Sequence, residues 1–462
     1  MERKKTLRFQ DLALFTFCAI FGLEAIAASA AIGPSAIFWW LLCLACYFIP
    51  FGMIAAELGS TYPEQGGLYV WIKKALGRRW AARSVWYYWI SLPIWLPAIY
   101  IAIADIFGHI FFPGITFWQQ IAISVVLIWI ALGINLCSLN ASKWIPNIGS
   151  VAQFIIVVGM IATAALFFLK NGRLANQITL ADVMPNLNAA LVFIPMIIYN
   201  LQGCDLVSSA AGEMKNPARD IPRALILSSF VIAALYLMTT FSVWVVIPIN
   251  EINVASGVLH VFTKALDDNI AKPFIMVAAG LLISGAFFAG IIAWNLGLNR
   301  TIAESANNGD LPKILGKMNR NMAPLGASVV SGIISTAVIL IYGFIASNAA
   351  ELFWHTVSFS LIVQLFSNLM LFPSFIILRN KDKGTPRPFR VPGPDWFAIL
   401  LAFMAGIFVL AAILILIIQP GQDFVRVTLP IIAGVIIVVI VGEILLSRCA
   451  APGEVDPQVI GK

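Results

Sequence analysis

Charge is scarce in this 462-residue chain: Asp, Glu, Lys and Arg together make up only 11% of it, where a soluble domain carries about a quarter. A soluble enzyme of this length has to face water with a large charged surface, so that class is excluded. Cysteine is equally sparse. The six residues, Cys18, Cys43, Cys46, Cys137, Cys204 and Cys449, sit mostly in apolar stretches without ligand-like pairing to histidine, which excludes a disulfide scaffold and reads as small buried hydrophobes rather than a zinc site. Only three histidines occur, His109, His260 and His355, far apart in the chain. With no Ser–His–Asp grouping, metal-ligand cluster or phosphate-binding glycine loop in a suitable context, no catalytic chemistry is indicated, and no cofactor or metal is implied. Gly and Pro total 57 without a period, which removes collagen-like and low-complexity classes.

What is abundant is apolar side chain, at 60% of the residues, with Phe, Trp and Tyr at 12%. Apolar runs between charges and turns give spans near 12–33, 36–56, 81–110, 118–138, 148–169, 187–211, 223–247, 273–303, 325–346, 350–378, 397–418 and 426–447. Twelve spans of about 20 residues consume roughly 240 residues and leave ample chain for connections. The fold class is therefore all-α, a twelve-helix membrane protein. The basic start, Met1–Gln10, runs into an apolar stretch without a small-residue cleavage site, so the first span is expected to be retained.

The net charge of +7 could advertise nucleic acid, but its placement points elsewhere. With both termini on one side, 24 of the 29 Lys and Arg fall on that side and five, Lys170, Arg173, Lys264, Lys272 and Arg426, on the other. Short basic loops stay cytoplasmic, so both termini are expected inside, in a bacterial inner membrane, with the lipid bilayer and no nucleic acid as partner. The loop Gln65–Ala75 reads equally as a short interfacial helix or as a connector. Four prolines make Lys381–Pro394 an extended connector.

Unwound backbone inside a bilayer survives only where it lines a cavity or packs in protein, so candidate helix breaks are candidate binding sites. The first span holds Ile20, Phe21, Gly22, Leu23 and Glu24, with a glycine and an acid near mid-depth. The sixth holds Tyr199, Asn200, Leu201, Gln202, Gly203, Cys204 and Asp205, the most polar interruption of any apolar run. Opposed half-helices present N–H groups to a carboxylate and C=O groups to an amine, a natural seat for a zwitterion.

The segment Ala211-Gly212-Glu213-Met214-Lys215-Asn216-Pro217-Ala218-Arg219-Asp220-Ile221-Pro222-Arg223-Ala224 resembles the signature that follows the sixth span in the amino acid, polyamine and organocation superfamily. Tyr47-Phe48-Ile49-Pro50, Ala55-Ala56-Glu57-Leu58, Gln65-Gly66-Gly67, Val246-Ile247-Pro248, Glu251-Ile252-Asn253, and Leu311-Pro312 with Lys317-Met318-Asn319 are similar to the glutamate:GABA antiporter branch. The resemblance implies a leucine-transporter-like fold with a 5+5 inverted repeat plus two helices. Residues 1–180 would form the first repeat, 181–380 the second, and 381–462 the connector with spans eleven and twelve. The family's first-span Gly-small-Gly pattern falls on Ile20, Phe21 and Gly22, where only the last glycine survives. Gly203 and Asp205 match the family's glycine and frequent acid, and Tyr199 and Trp294 fall at aromatic gate positions.

Among single residues, Glu24 is expected to attract an amine or carry a proton, against a packing role. Asp205 is expected to gate or pair with substrate beside Glu24, against capping the second half-helix. Tyr87 and Tyr88 are lesser gate candidates, while Trp39, Trp40, Trp95 and Trp354 read as packing or interface residues. Asn200, Gln202 and Asn295 read equally as ligand contacts or interhelical bonds. Asp105 and His109, four apart, form an outer packing or entrance pair, and Glu57, Glu213 and Arg223 read as inner-gate or loop-fixing charges. Ser284 lacks the neighbouring hydroxyls a sodium cage needs, and span five has no lysine to stand in for the ion. The function this supports is a secondary carrier exchanging an amino acid for another amino acid or its decarboxylated amine. A proton-coupled amino acid or polyamine symporter stays open, as does a channel or sensor on the same scaffold. Oligomeric state is left open.

Overall fold

The computed structural model describes residues 9–64, 66–112, 114–136, 139–185, 194–195, 197–206, 215–252, 257–265, 272–418 and 424–449. Among these residues every regular element is helical. Ten helices are long and apolar enough to cross a membrane, and one bent pair makes a further span.

The bent pair is the first span, with α1 (Phe9–Ile20) and α2 (Glu24–Ala31) meeting at 50°. Then follow α3 (Ala36–Thr61), the short α4 (Leu68–Leu76), α5 (Arg78–Phe111), α6 (Phe117–Leu136) and α7 (Leu139–Asn171). The expected sixth span is described only in part, with a helical turn at 197–200, here α8, that unwinds afterwards. The second half continues with α9 (Pro217–Val246), the short α10 (Gly257–Ala265), α11 (Lys272–Asn307), α12 (Leu325–Ile345), α13 (Ala349–Lys381), α14 (Asp395–Ile418) and α15 (Leu429–Cys449). Apart from the sixth, each sequence-derived span overlaps one of these helices, with starts that differ by up to nine residues, as at α7. The loop Gln65–Ala75 of the sequence reading forms the helix α4, whose N-terminal half, Leu68, Tyr69, Val70, Trp71 and Ile72, is buried. The Pro-rich segment after α13 has no regular structure up to α14. Helix α10 has no counterpart in the sequence reading. Glu213 lies outside the described residues, as do Cys137 and the side chain of His109.

Membrane helices tolerate proline only where another group takes up the freed carbonyl. In α5, Pro97 leaves the Pro93 carbonyl without its N–H, and the Ser335 hydroxyl of α12 donates to it at 3.0 Å. In α3 a wider π turn over Leu44–Phe48 precedes Pro50 and accommodates the missing donor. The outward faces are apolar, with Leu169, Phe274 and Phe344 at least 77% exposed. That inverts a water-soluble surface and suits lipid.

Most charge gathers at one end of the bundle. There the Glu57 carboxylate of α3, fully buried, accepts from Arg379 at 2.5 Å, from Arg387 at 2.9 Å and from the Val391 N–H at 2.7 Å. Arg379 reaches on to Asp395 at 2.8 Å, so one carboxylate straps the extended connector across the ends of α3, α13 and α14. Beside it the Tyr62 hydroxyl donates to Asp382 at 2.6 Å, as does Thr385. These bonds hold the Asp382 carboxyl below the usual carboxylate range, so this lock is complete above pH about 4 and is lost as pH falls through the depressed value. A neighbouring knot joins Asp310 to Tyr69 and Arg78. Arg223, by contrast, is exposed.

Removing one partner of a buried ion pair leaves the other charge uncompensated, at about 3–5 kcal/mol. Glu57→Ala should therefore lower the thermal unfolding midpoint in detergent far more than Arg390→Ala, whose side chain is 58% exposed. Equal midpoints for the two variants would contradict this account of the strap.

Candidate functional site

Breaking a helix at mid-depth strands backbone groups that each cost about 1–3 kcal/mol if left unpaired. At the first break the freed groups are met one by one. The carbonyls of Ala19, Ile20 and Phe21 accept from three side chains on three different helices: the Trp294 indole of α11 at 2.8 Å, the Tyr236 hydroxyl of α9 at 3.1 Å and the Gln153 amide of α7 at 2.8 Å. The same Tyr236 oxygen accepts from the Gly22 N–H at 2.8 Å. Phe21 is locked by rings, stacking on Phe17 at 5.1 Å and leaning on Tyr236 at 4.7 Å.

Glu24 begins α2 and is buried. Its carboxylate accepts from the Tyr199 hydroxyl at 3.0 Å. Tyr199 in turn accepts from the Trp95 indole. The acid lies so close over Gly22 that a methyl group there would meet Oε1 at 2.7 Å and both Cδ and Oε2 at 3.0 Å. Only glycine leaves that room.

At the second break the chain turns through Leu201–Asp205, with Gly203 at φ +105. A Cβ on Gly203 would lie 3.1 Å from the Trp294 ring and 3.3 Å from Ile20, so this glycine lets the sixth span close against the first. Gln202 is held between Tyr47, to which it donates at 2.7 Å, and Asn368, from which it accepts at 2.5 Å.

Between the breaks lies a partly open cavity of about 50 Å³. Of the expected site residues, Ile20, Phe21, Gly22, Glu24, Tyr199, Asn200 and Trp294 line it. Gly203, Asp205, Tyr87 and Tyr88 do not. Gly203 stands behind Trp294 and Ile20. The turn carries Asp205 to the far side of the break, where it is buried with Tyr88, Tyr47 and Cys204. Asp205 therefore does not share the wall of this cavity with Glu24. Tyr87 sits edge-on to Phe366, near Arg83 and Glu443.

Other placements differ as well. Trp95, read from sequence as packing, lines the cavity and braces Tyr199, whereas Trp40 stacks on Tyr236 at 4.7 Å and Trp354 packs edge-on to Phe353. Asn295 bonds within α11 to Ile291 and Asn299. Asp105 accepts from Gln120 at 3.0 Å. Gln153, Tyr236 and Gln364 were not singled out from sequence, although each is a polar group in a long apolar run, the signal that should have found them. Among the described residues both amide atoms of Asn200, Oε1 of Gln153 and Nε2 of Gln364 are buried without a hydrogen-bond partner, and all three side chains line the cavity. Among the described residues Glu24 is the only Asp, Glu, Lys, Arg or His in its wall.

This geometry has a family. The sequence model of the amino acid permeases matches residues 7–441. The chain belongs to the amino acid permease family. A permease named as a probable agmatine/putrescine antiporter, from Lactococcus lactis, is 33% identical over 94% of this chain and 93% of its own. A glutamate/gamma-aminobutyrate antiporter of the same species is 25% identical over 81% of the chain and 76% of its own. A polyamine transporter of Oryza sativa is 27% identical over 80% and 66%. This permease is accordingly a multi-pass membrane carrier with the leucine-transporter-like architecture that its motifs implied.

Because one hydroxyl serves both sides of the first break, Tyr236→Phe should strand the Gly22 N–H and the Ile20 carbonyl together. The expected loss is about 1–3 kcal/mol per group, read as a lower unfolding midpoint in detergent. Substitution of the exposed Phe241 by leucine provides the control, and a Tyr236→Phe midpoint matching that control would show the break to be held otherwise.

Proposed function

We propose that this permease is a secondary antiporter of a bacterial inner membrane that exchanges one small cationic amine for another. The observation that carries this is Glu24, among the described residues the single charge in the cavity wall. A bare carboxylate in a low-dielectric cavity attracts ammonium or guanidinium and repels anions by several kcal/mol. The names of two relatives, an agmatine/putrescine antiporter and a polyamine transporter, agree with that electrostatic preference. A substrate with net negative charge would meet Glu24 without compensation.

Residues 1–180 and 181–380 serve as two inverted repeats, and one group of helices rocks against the other around the cavity. Both termini face the cytoplasm, on the side that holds 24 of the 29 basic residues. Trp294, Tyr199 and Phe21 close over the ligand, while Asn200 offers both a donor and an acceptor to it. Proton-coupled uptake is the second reading. The buried Asp205, with one oxygen unpartnered among the described residues, favours it.

Counterflow in proteoliposomes separates the two. Vesicles loaded with putrescine should take up labelled agmatine, and empty vesicles should not, with or without a pH gradient. Glu24→Gln should slow exchange at low substrate concentration about tenfold or more, since a hydrogen bond to a charged group contributes about 1.5–3 kcal/mol. Uptake into empty vesicles driven by a pH gradient replaces antiport with symport, and an undiminished rate in Glu24→Gln removes the site.

A further inference from the structure

In an interrupted membrane helix the exposed N–H groups at the start of the second half form the seat for a substrate carboxylate. Here that seat is filled from within. The Gly22 N–H is committed to Tyr236, and the Glu24 carboxylate lies against Gly22 at the start of α2. The carboxylate is fixed there on its other side by Tyr199 and rests in the space that the missing Cβ of Gly22 leaves open. The carbonyls just before the break, which would otherwise face an amine, are taken by Trp294, Tyr236 and Gln153.

We propose that Glu24 is a resident substitute for the α-carboxylate of an amino acid, so that this permease selects the decarboxylated amine over its parent by having the acid already in place. This rests on amine exchange as the activity and adds the basis of its selectivity. The bound amine and Glu24 together reproduce the charge pair of the parent zwitterion, one half supplied by the ligand and the other by α2. A parent amino acid brings a second carboxylate to a seat that is occupied, and no Lys, Arg or His in the cavity wall offsets it. The same seat emptied would leave the positive end of α2 open to the cavity.

Two features make the assignment specific to this side chain. Gln at position 24 keeps the seat filled but uncharged, and Ala vacates it. The two substitutions therefore have different consequences, whereas a Glu24 acting only as a distant attractor would respond alike to both.

The test uses matched pairs, putrescine with ornithine and agmatine with arginine, in counterflow from putrescine-loaded proteoliposomes of the full-length protein. In the wild type, a hundredfold excess of ornithine should leave putrescine exchange within a factor of two. In Glu24→Ala the preference for putrescine over ornithine should fall at least tenfold, with measurable ornithine uptake from ornithine-loaded vesicles. Glu24→Gln should lose putrescine exchange without gaining ornithine. Strong inhibition of the wild type by ornithine overturns the proposal, and that arm requires no variant to fold. A monodisperse Glu24→Ala that loses putrescine and gains no ornithine overturns it also, while leaving amine exchange intact. A wild type that carries neither putrescine nor agmatine instead defeats the amine reading beneath it.

Discussion

Every feature of the cavity follows from the difficulty of leaving a backbone N–H or C=O unpaired away from water. A continuous helix avoids the difficulty, and a broken one has to import partners. In this permease the imports are side chains on α7, α9 and α11, each reaching a different carbonyl of α1. The cavity wall and the structural repair of the break therefore share residues. Trp294 roofs the cavity and also donates to Ala19; Gln153 faces the cavity with one amide atom and the Phe21 carbonyl with the other. Mutations here will rarely separate stability from transport.

The electrostatics have a similar economy. A cavity containing one carboxylate and no counter-cation is unfavourable when empty, because a buried charge without a partner costs several kcal/mol. The hydroxyl of Tyr199 offsets part of that cost. Relatives with names as different as agmatine/putrescine and glutamate/gamma-aminobutyrate antiporters share the scaffold. What distinguishes substrates on a common scaffold is then a small number of side chains at the breaks.

Much of this was legible in the sequence, for physical reasons that can be named. Bilayer thickness makes span length readable, so helix ends such as those of α5 and α12 fell close to expectation. The break at Gly22 and Glu24 was signalled by a glycine beside an acid in hydrocarbon, and that at Gly203 by five consecutive positions around amides and an acid. What could not be read was direction. Asp205 is two residues beyond Gly203, yet a positive φ at that glycine carries it away from Glu24 to the company of Tyr88 and Cys204. Trp95 looked like filler because an indole in an apolar run usually is, and only the hydroxyl it meets on another helix shows otherwise. Gln153 and Tyr236 lie more than 100 residues from the carbonyls they serve, so no local spacing announces the partnership. The strap on Glu57 was legible as charge but not as a fastening, since its partners lie more than 300 positions away.

The three donors to the carbonyls of Ala19, Ile20 and Phe21 have a mechanical corollary. Because each belongs to a separate helix, a carrier that tilts one helix relative to α1 unfastens one bond and leaves two in place. Each such bond contributes only about 0.5–1.5 kcal/mol. The hinge at Phe21 can thus be released in instalments, through a staircase of shallow steps in place of one tall barrier.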